Sequence, residues 1–180
     1  MWLKYKTVLS IFERNIRSMN YHIREAHKAD MPQVLQLIVE LAVFEKEPDA
    51  VEVTVEELES KGFGTAPDFH CFVAEIETKI IGMALVFTRF STWKGRVLHL
   101  EDLIVSEHFR GYGIGTALLD EVIKYAAKLK VKRVSWEVLD WNTPAIDFYE
   151  AKGADVKRDW DVVHLDSNGI KNYLLKLDNA

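Results

Sequence analysis

Arg110, Gly111, Gly113 and Gly115 stand directly after the apolar run Leu100-Glu101-Asp102-Leu103-Ile104-Val105 and directly before a helical pattern. Past Gly115, the apolar residues Leu118, Leu119, Val122, Ile123, Ala126 and Ala127 recur at helical spacing, so the glycines open a helix. A helix N-terminus presents unpaired N–H groups and the positive end of its dipole, and both attract phosphate. Glycine lets the backbone take φ > 0 and approach an anion closely. The segment reads as a pyrophosphate cradle. A Walker loop would need Gly-Lys-Ser/Thr after the last glycine, where this chain has Thr116-Ala117. The G-x-G-x-x-G fingerprint fails as well, because its last position falls on Thr116 or Leu118. What fits is Arg-x-x-Gly-x-Gly, from Arg110 through Gly113 to Gly115. A glycine-rich turn that merely joins strand to helix has the same composition.

Upstream of the cradle, Glu101 is a carboxylate inside an apolar strand. Alternation places Leu103 and Val105 on its face and Asp102 on the other, so the two carboxylates are not expected to work as a dyad. A base aimed at a substrate and a solvent-exposed strand carboxylate both fit this pattern. The histidines His22, His27, His70, His99, His108 and His164 show no metal-ligand spacing, and no metal is expected. No serine stands in a glycine elbow.

The elements that must position these residues follow from pattern. Residues 21–24 read as a first strand. Asp30 with Gln33, and Pro32 in the first turn, predict a capping box opening a helix that ends near Phe44. Thr54 with Glu57 predicts a second capped helix reaching Gly62. Residues 69–75 and 80–90 form a hairpin turning at Glu77-Thr78-Lys79, and 97–105 is the strand that feeds the glycine loop. After the long helix come a strand over 131–139, a short helix from Thr143-Pro144 to Gly153, and a hairpin of 160–165 and 170–177. This order predicts a single-domain α+β fold, a mixed and mostly antiparallel sheet of about seven strands with about four helices. Residues 1–18 are expected to be an N-terminal extension and residues 19–180 the domain.

The 180 residues carry 48% hydrophobic and 28% charged side chains, an ordinary soluble balance. A net charge of -5 argues against nucleic acid, which needs a basic field. No run is long enough to span a membrane. One cysteine, Cys71, excludes an intramolecular disulfide, and a reducing cytoplasm is the expected setting.

The Arg-x-x-Gly-x-Gly loop and the element order together resemble the GNAT superfamily of N-acetyltransferases, whose loop of this kind holds acetyl-CoA. From Met19 onward the chain is similar to the diamine (spermidine/spermine) acetyltransferases and their thialysine-acetylating branch. The pieces that carry this are Leu41-Ala42 with Phe44-Glu45, Gly62-Phe63-Gly64, Phe69-His70-Cys71, Ser91-Thr92-Trp93-Lys94-Gly95-Arg96, Leu100-Glu101-Asp102 and Asp140-Trp141-Asn142. The resemblance implies Glu101 as the base and Tyr149 as the acid that protonates the leaving thiolate. It implies Leu103, Ile104, Val105, Arg110, Gly111, Tyr112, Gly113, Ile114, Gly115, Thr116, Asn142, Ala145, Tyr149 and Lys152 on the acetyl-CoA co-substrate. Phe44, Glu45, Trp93, Glu101 and Trp160 would line the amine site, and a homodimer is implied.

Departures from the polyamine branch bear on the acceptor. That branch has an aspartate two residues before the tryptophan matching Trp93, where this chain has Ser91, and a tyrosine where this chain has Phe44. A lost charge-assisted contact is worth ~1.5–3 kcal/mol, enough to turn preference from a long polyamine toward a lysine-like amino acid or short diamine. A protein lysine or N-terminal amine as acceptor, and a non-catalytic acyl-CoA-binding module, are the alternative readings.

Overall fold

The computed structural model describes residues 20–178, so the expected extension over residues 1–18 lies outside the described residues. In chain order the elements are β1 (His22–Glu25), a 3-10 turn (Lys28–Asp30), α1 (Met31–Phe44), α2 (Val55–Gly62), β2 (His70–Ile76), β3 (Lys79–Ser91) and β4 (Gly95–Val105). A second 3-10 turn (Glu107–Phe109), α3 (Ile114–Lys128), β5 (Val134–Ser135), α4 (Thr143–Ala151) and α5 (Ser167–Leu177) follow. The sheet runs β1-β2-β3-β4-β5, antiparallel through β4, with β5 parallel to β4. This is the mixed, mostly antiparallel α+β sheet read from sequence, with five strands among the described residues rather than about seven. The described residues form two compact units, divided between Glu137 and Val138.

In the first unit the sheet is covered on both faces. Met83 and Leu85 of β3 pack with Met31, Val34 and Leu37 of α1, Leu58 of α2, and Cys71 and Val73 of β2. Gly82, just before Met83, points to the opposite face. A Cβ there would lie 3.2 Å from Leu118 of α3 and 2.9 Å from the Ile104 carbonyl, so glycine lets α3 settle close. Leu118, Leu119, Val122 and Ala126 form the buried stripe of α3.

The two expected capping boxes have different fates. Thr54 Oγ1 accepts from the Glu57 N–H at 3.2 Å, and Glu57 Oε2 accepts from the Thr54 N–H at 3.1 Å, as the spacing predicts. Asp30 and Gln33 do not form theirs. Asp30 instead accepts from the His27 N–H at 2.7 Å and from two nitrogens of Arg24 at 2.6 and 3.0 Å. Gln33 crosses to the β2–β3 turn, donating to the Thr78 carbonyl and accepting from the Ile80 N–H. Upstream neighbours claim Asp30 and a tertiary contact claims Gln33, so the expected cap is not made.

The second unit departs most from expectation. Asn142 caps α4, its Oδ1 accepting from the Ala145 N–H at 3.3 Å, and Gly153 ends it at φ 85°. The expected hairpin of 160–165 and 170–177 is not formed. Residues 160–166 carry no strand, and the following segment is α5. Asp166 Oδ1 accepts from the Gly169 N–H at 2.6 Å, making Ser167-Asn168-Gly169 a first helical turn instead of a hairpin loop. Ile170, Tyr173, Leu174 and Leu177 then recur at helical spacing. In the first unit, the strand expected over 131–139 shrinks to Val134–Ser135, because only Leu98 and His99 of β4 pair with it.

Arg24 ties the start of the sheet together. Beyond its fork on Asp30, its Nε donates to Glu75 of β2 at 2.7 Å. The guanidinium holds both carboxyls below their ordinary pKa values. A depressed folded pKa contributes stability that is present above the unfolded value near 4 and lost as pH falls through the folded one. Arg24→Met should destabilise the protein by roughly 1–3 kcal/mol at pH 7, with the loss shrinking toward pH 3. Urea melts at the two pH values check this, and an equal loss at both would remove the ion pairs as its cause.

Candidate active site

The register of β4 against β3 contains one extra residue. His99 faces Phe87 and Leu100 faces Val86, but Asp102 then faces Leu85 and Leu103 faces Ala84. Glu101 has no residue opposite it and forms a β-bulge. Phe87 and Leu85 share a face of β3, so His99 and Asp102 share that face of β4 although they are three residues apart. Glu101 reaches to the same side: its Oε2 lies 3.4 Å from His99 Nε2. The alternation read from sequence, with Asp102 turned away from Glu101, is thereby corrected. Three titratable side chains gather where a regular strand would hold two.

Their environments pull them apart. Glu101 is half-exposed, and the His99 contact keeps its carboxyl below the ordinary value. Asp102 is more deeply set; loss of solvent, then the charges of Glu101 and Glu45, push it up to about 6. Glu45 stands at the C-terminal end of α1, and burial raises its carboxyl too. The sequence reading passed over His99 as one of several scattered histidines. Its position two residues before a strand carboxylate was the available signal.

The glycine loop leaves β4 just beyond. Arg110 Nε donates to the Val105 carbonyl at 2.9 Å, and its guanidinium lies 5.2 Å from the Phe44 ring centre. The loop's arginine thus clamps the strand end to α1. Gly111 and Gly113 both take φ 82°, and Gly113 is the N-cap of α3. A Cβ at Gly111 would meet nothing within 4 Å, so backbone conformation and not space calls for glycine there. No side chain caps α3, which leaves the first-turn N–H groups of Ile114, Gly115 and Thr116 without a capping acceptor. Left-handed glycines opening into an uncapped helix form a fitting seat for a pyrophosphate. Tyr112 lies between the two glycines. Because β5 pairs only with Leu98 and His99, the β4 edge through Leu103, Ile104 and Val105 runs on without a β5 partner.

Trp93 sits at the β3–β4 hairpin tip, roughly 20 Å along the ladder from Glu101, and is 77% exposed. There Ser91 Oγ accepts from the N–H groups of Trp93 and Lys94, each at 3.3 Å. In the second unit, α4 and its flanks carry Asn142, Ala145, Tyr149 and Lys152. Tyr149 is 8% exposed, and burial pushes its phenol up to about 12. Its ring lies 5.2 Å from Phe148, over which the Lys152 ammonium sits at 5.9 Å. Trp160 is 70% exposed on the segment between α4 and α5. Among the described residues, no three His, Cys, Asp or Glu side chains are placed to hold a metal ion.

A model of the acetyltransferase (GNAT) family matches residues 31–154, which include the bulge, the glycine loop and α4. The chain is 41% identical over 140 residues to the thialysine N-epsilon-acetyltransferase of Bos taurus, covering 73% of this chain and 82% of that protein. It is 35% identical over 145 residues to the spermidine/spermine N(1)-acetyltransferase-like protein 1 of Homo sapiens, covering 76% of this chain and 21% of that one. An integron cassette protein from the mobile metagenome of V. cholerae shares the fold, with a TM-score of 0.71 at 22% identity over 87% of this chain and 98% of the other. On its glycine loop, its sheet and these relatives, the chain belongs to the acetyltransferase (GNAT) family and is an N-acetyltransferase.

Proposed function

We propose that the enzyme transfers acetyl from acetyl-CoA to the primary amine of a small molecule, by direct attack within a ternary complex. A thialysine- or lysine-like amino acid is the favoured acceptor, then a short diamine. The observation that carries this reading is the bulge, which sets Glu101 beside Asp102 and His99 just upstream of the glycine loop. Acetyl-CoA supplies the activated acetyl group and a thiolate that must leave. Its pyrophosphate suits the turn of Gly111, Tyr112 and Gly113 and the N–H groups of Ile114, Gly115 and Thr116. The edge of Leu103, Ile104 and Val105 suits its amide-bearing arm, and the family resemblance assigns Asn142, Ala145 and Lys152 to the same co-substrate. Arg110 serves it by fixing the loop.

An alkylammonium near pKa 10.4 is protonated at pH 7 by about three orders of magnitude. The fraction that is neutral attacks, and the attacking nitrogen's remaining protons then become strongly acidic. A carboxylate held ionised, as Glu101 is, takes one of them. Tyr149 keeps its proton through neutral pH and gives it to the departing thiolate. Glu45 and Asp102 lend negative charge to the acceptor side, beside Phe44; the family resemblance alone adds Trp93, at the far end of the β3–β4 hairpin, and Trp160 of the second unit. The setting we assign is cytoplasmic. A homodimer is part of the same reading, and the apolar side chains that α5 exposes, Ile170, Tyr173, Leu174 and Leu177, support it.

The first test is acetyl-CoA-dependent thiol release with thialysine, lysine, putrescine and spermidine side by side. Thialysine should lead. Spermidine leading would reverse the acceptor order, and silence with all four would favour a protein amine or a binding module. Ser91→Asp should raise kcat/KM for spermidine by about 10- to 100-fold, restoring one charged contact. Glu101→Gln should lower kcat by roughly 100-fold or more, and Tyr149→Phe should do so with acetyl-CoA affinity intact. Wild-type turnover in either variant would remove that residue from the chemistry. Asp102 is ionised above about pH 6 and neutral below it. The acceptor KM should therefore rise as pH falls from 7 to 5, and Asp102→Asn should hold the higher KM throughout.

A further inference from the structure

We propose that His99 is a positioning residue for Glu101, its Nε2–H holding one carboxylate oxygen so that the other meets the acceptor nitrogen. The inference rests on Glu101 acting as the base. His99 is the last residue of β4 paired on both sides, opposite Phe87 on β3 and Ser135 on β5. Its backbone is fixed by two ladders, whereas Glu101, two residues on, faces no β3 residue. The Phe87 ring lies 5.0 Å away, and only 7% of His99 is exposed. A rigid side chain thus stands beside the one residue of the strand that the ladder does not hold.

The ring's two nitrogens have unequal surroundings. Nε2 is 3.4 Å from Glu101 Oε2, while Nδ1 is buried with no hydrogen-bond partner among the described residues. A neutral imidazole donates from one nitrogen and accepts at the other. A proton on Nδ1 would be buried with nothing to receive it, and would turn the Nε2 lone pair against a carboxylate. A proton on Nε2 is received by Glu101. The surroundings therefore fix the tautomer, as a carboxylate commonly does for a histidine at a reacting site.

The other charged groups around the pair do not replace this contact. Arg89 of β3 donates from Nη2 to Ser135 Oγ at 3.2 Å, beside the ring. Asp102 of β4 and Glu45 at the end of α1 are carboxylates and can only repel Glu101 when ionised. The buried stripe of α3 (Leu118, Leu119, Val122 and Ala126) is apolar. Without His99, the donor that holds and aims the Glu101 carboxylate is gone.

The test compares His99→Phe, His99→Asn and His99→Gln in the full-length enzyme, with thialysine and putrescine as acceptors. Glutamine places an amide N–H near the reach of Nε2; asparagine stops at that of Nδ1. The Glu101 carboxyl carbon, followed by 13C NMR and assigned with Glu101→Gln, should titrate at higher pH in the Phe and Asn variants and return in Gln. At pH 8, kcat should fall about 10- to 100-fold in Phe and Asn and recover in Gln, with KM for acetyl-CoA unchanged. An unmoved carboxyl titration together with wild-type kcat in His99→Phe would sink the proposal. Should the Phe variant fail to fold, equal behaviour of Gln and Asn would overturn it instead. A shifted carboxyl titration alongside wild-type turnover in Glu101→Gln would remove Glu101 as the base, yet leave the His99 contact established.

Discussion

One unmatched residue in β4 is the constraint on which the site depends. Without it, strict alternation would send Glu101 and Asp102 to opposite faces and turn His99 away from the face of Asp102. With it, three groups that exchange protons share a surface, and the strand continues in register to Ile104, a core residue beneath α1. The bulge therefore alters the chemistry of one face without disturbing the packing on either side. β5 reinforces the effect by pairing with β4 only up to His99.

The same sheet treats its carboxylates in two ways. At its β1 edge, Asp30 and Glu75 are satisfied by Arg24, and the result is a clasp with no group left to react. At the bulge, Glu45 and Asp102 are set against loss of solvent and against each other, and only Glu101 has a donor at hand. Carboxyls of the same intrinsic acidity are thereby spread apart, the usual way one fold keeps an ionised base beside a group that titrates near neutrality. Neutralised acids build the scaffold, and strained ones build the site.

Much of the first unit was legible because its signals are local. The glycine loop opening into α3 and the Thr54–Glu57 box each depend on a few neighbouring residues and formed as read, as did, in the second unit, the Thr143-Pro144 start of α4. The bulge had no such signature, because an extra residue exists only relative to the strand it pairs with. Asp30 and Gln33 carried a local signal that other partners overrode, the upstream neighbours Arg24 and His27 for Asp30 and the distant β2–β3 turn for Gln33. Residues 170–177 are apolar enough for either a strand or a helix, and the cap that Asp166 places on Ser167-Asn168-Gly169, which also suits a hairpin turn, decided between them. His99 was visible in the sequence, but its meaning came from the nitrogen that lacks a partner.

Cys71 sits in the core shared by α1, α2 and the sheet, and burial pushes its thiol up to about 12. At pH 7 its reactive thiolate is therefore scarce, by about five orders of magnitude. It is also the chain's single cysteine. On the proposed acetyl-CoA reaction, which would free a thiol at every turnover, that product would find no reactive partner for a mixed disulfide in this chain. Its own sulfur is shut away from the sulfur chemistry the proposed reaction would carry out.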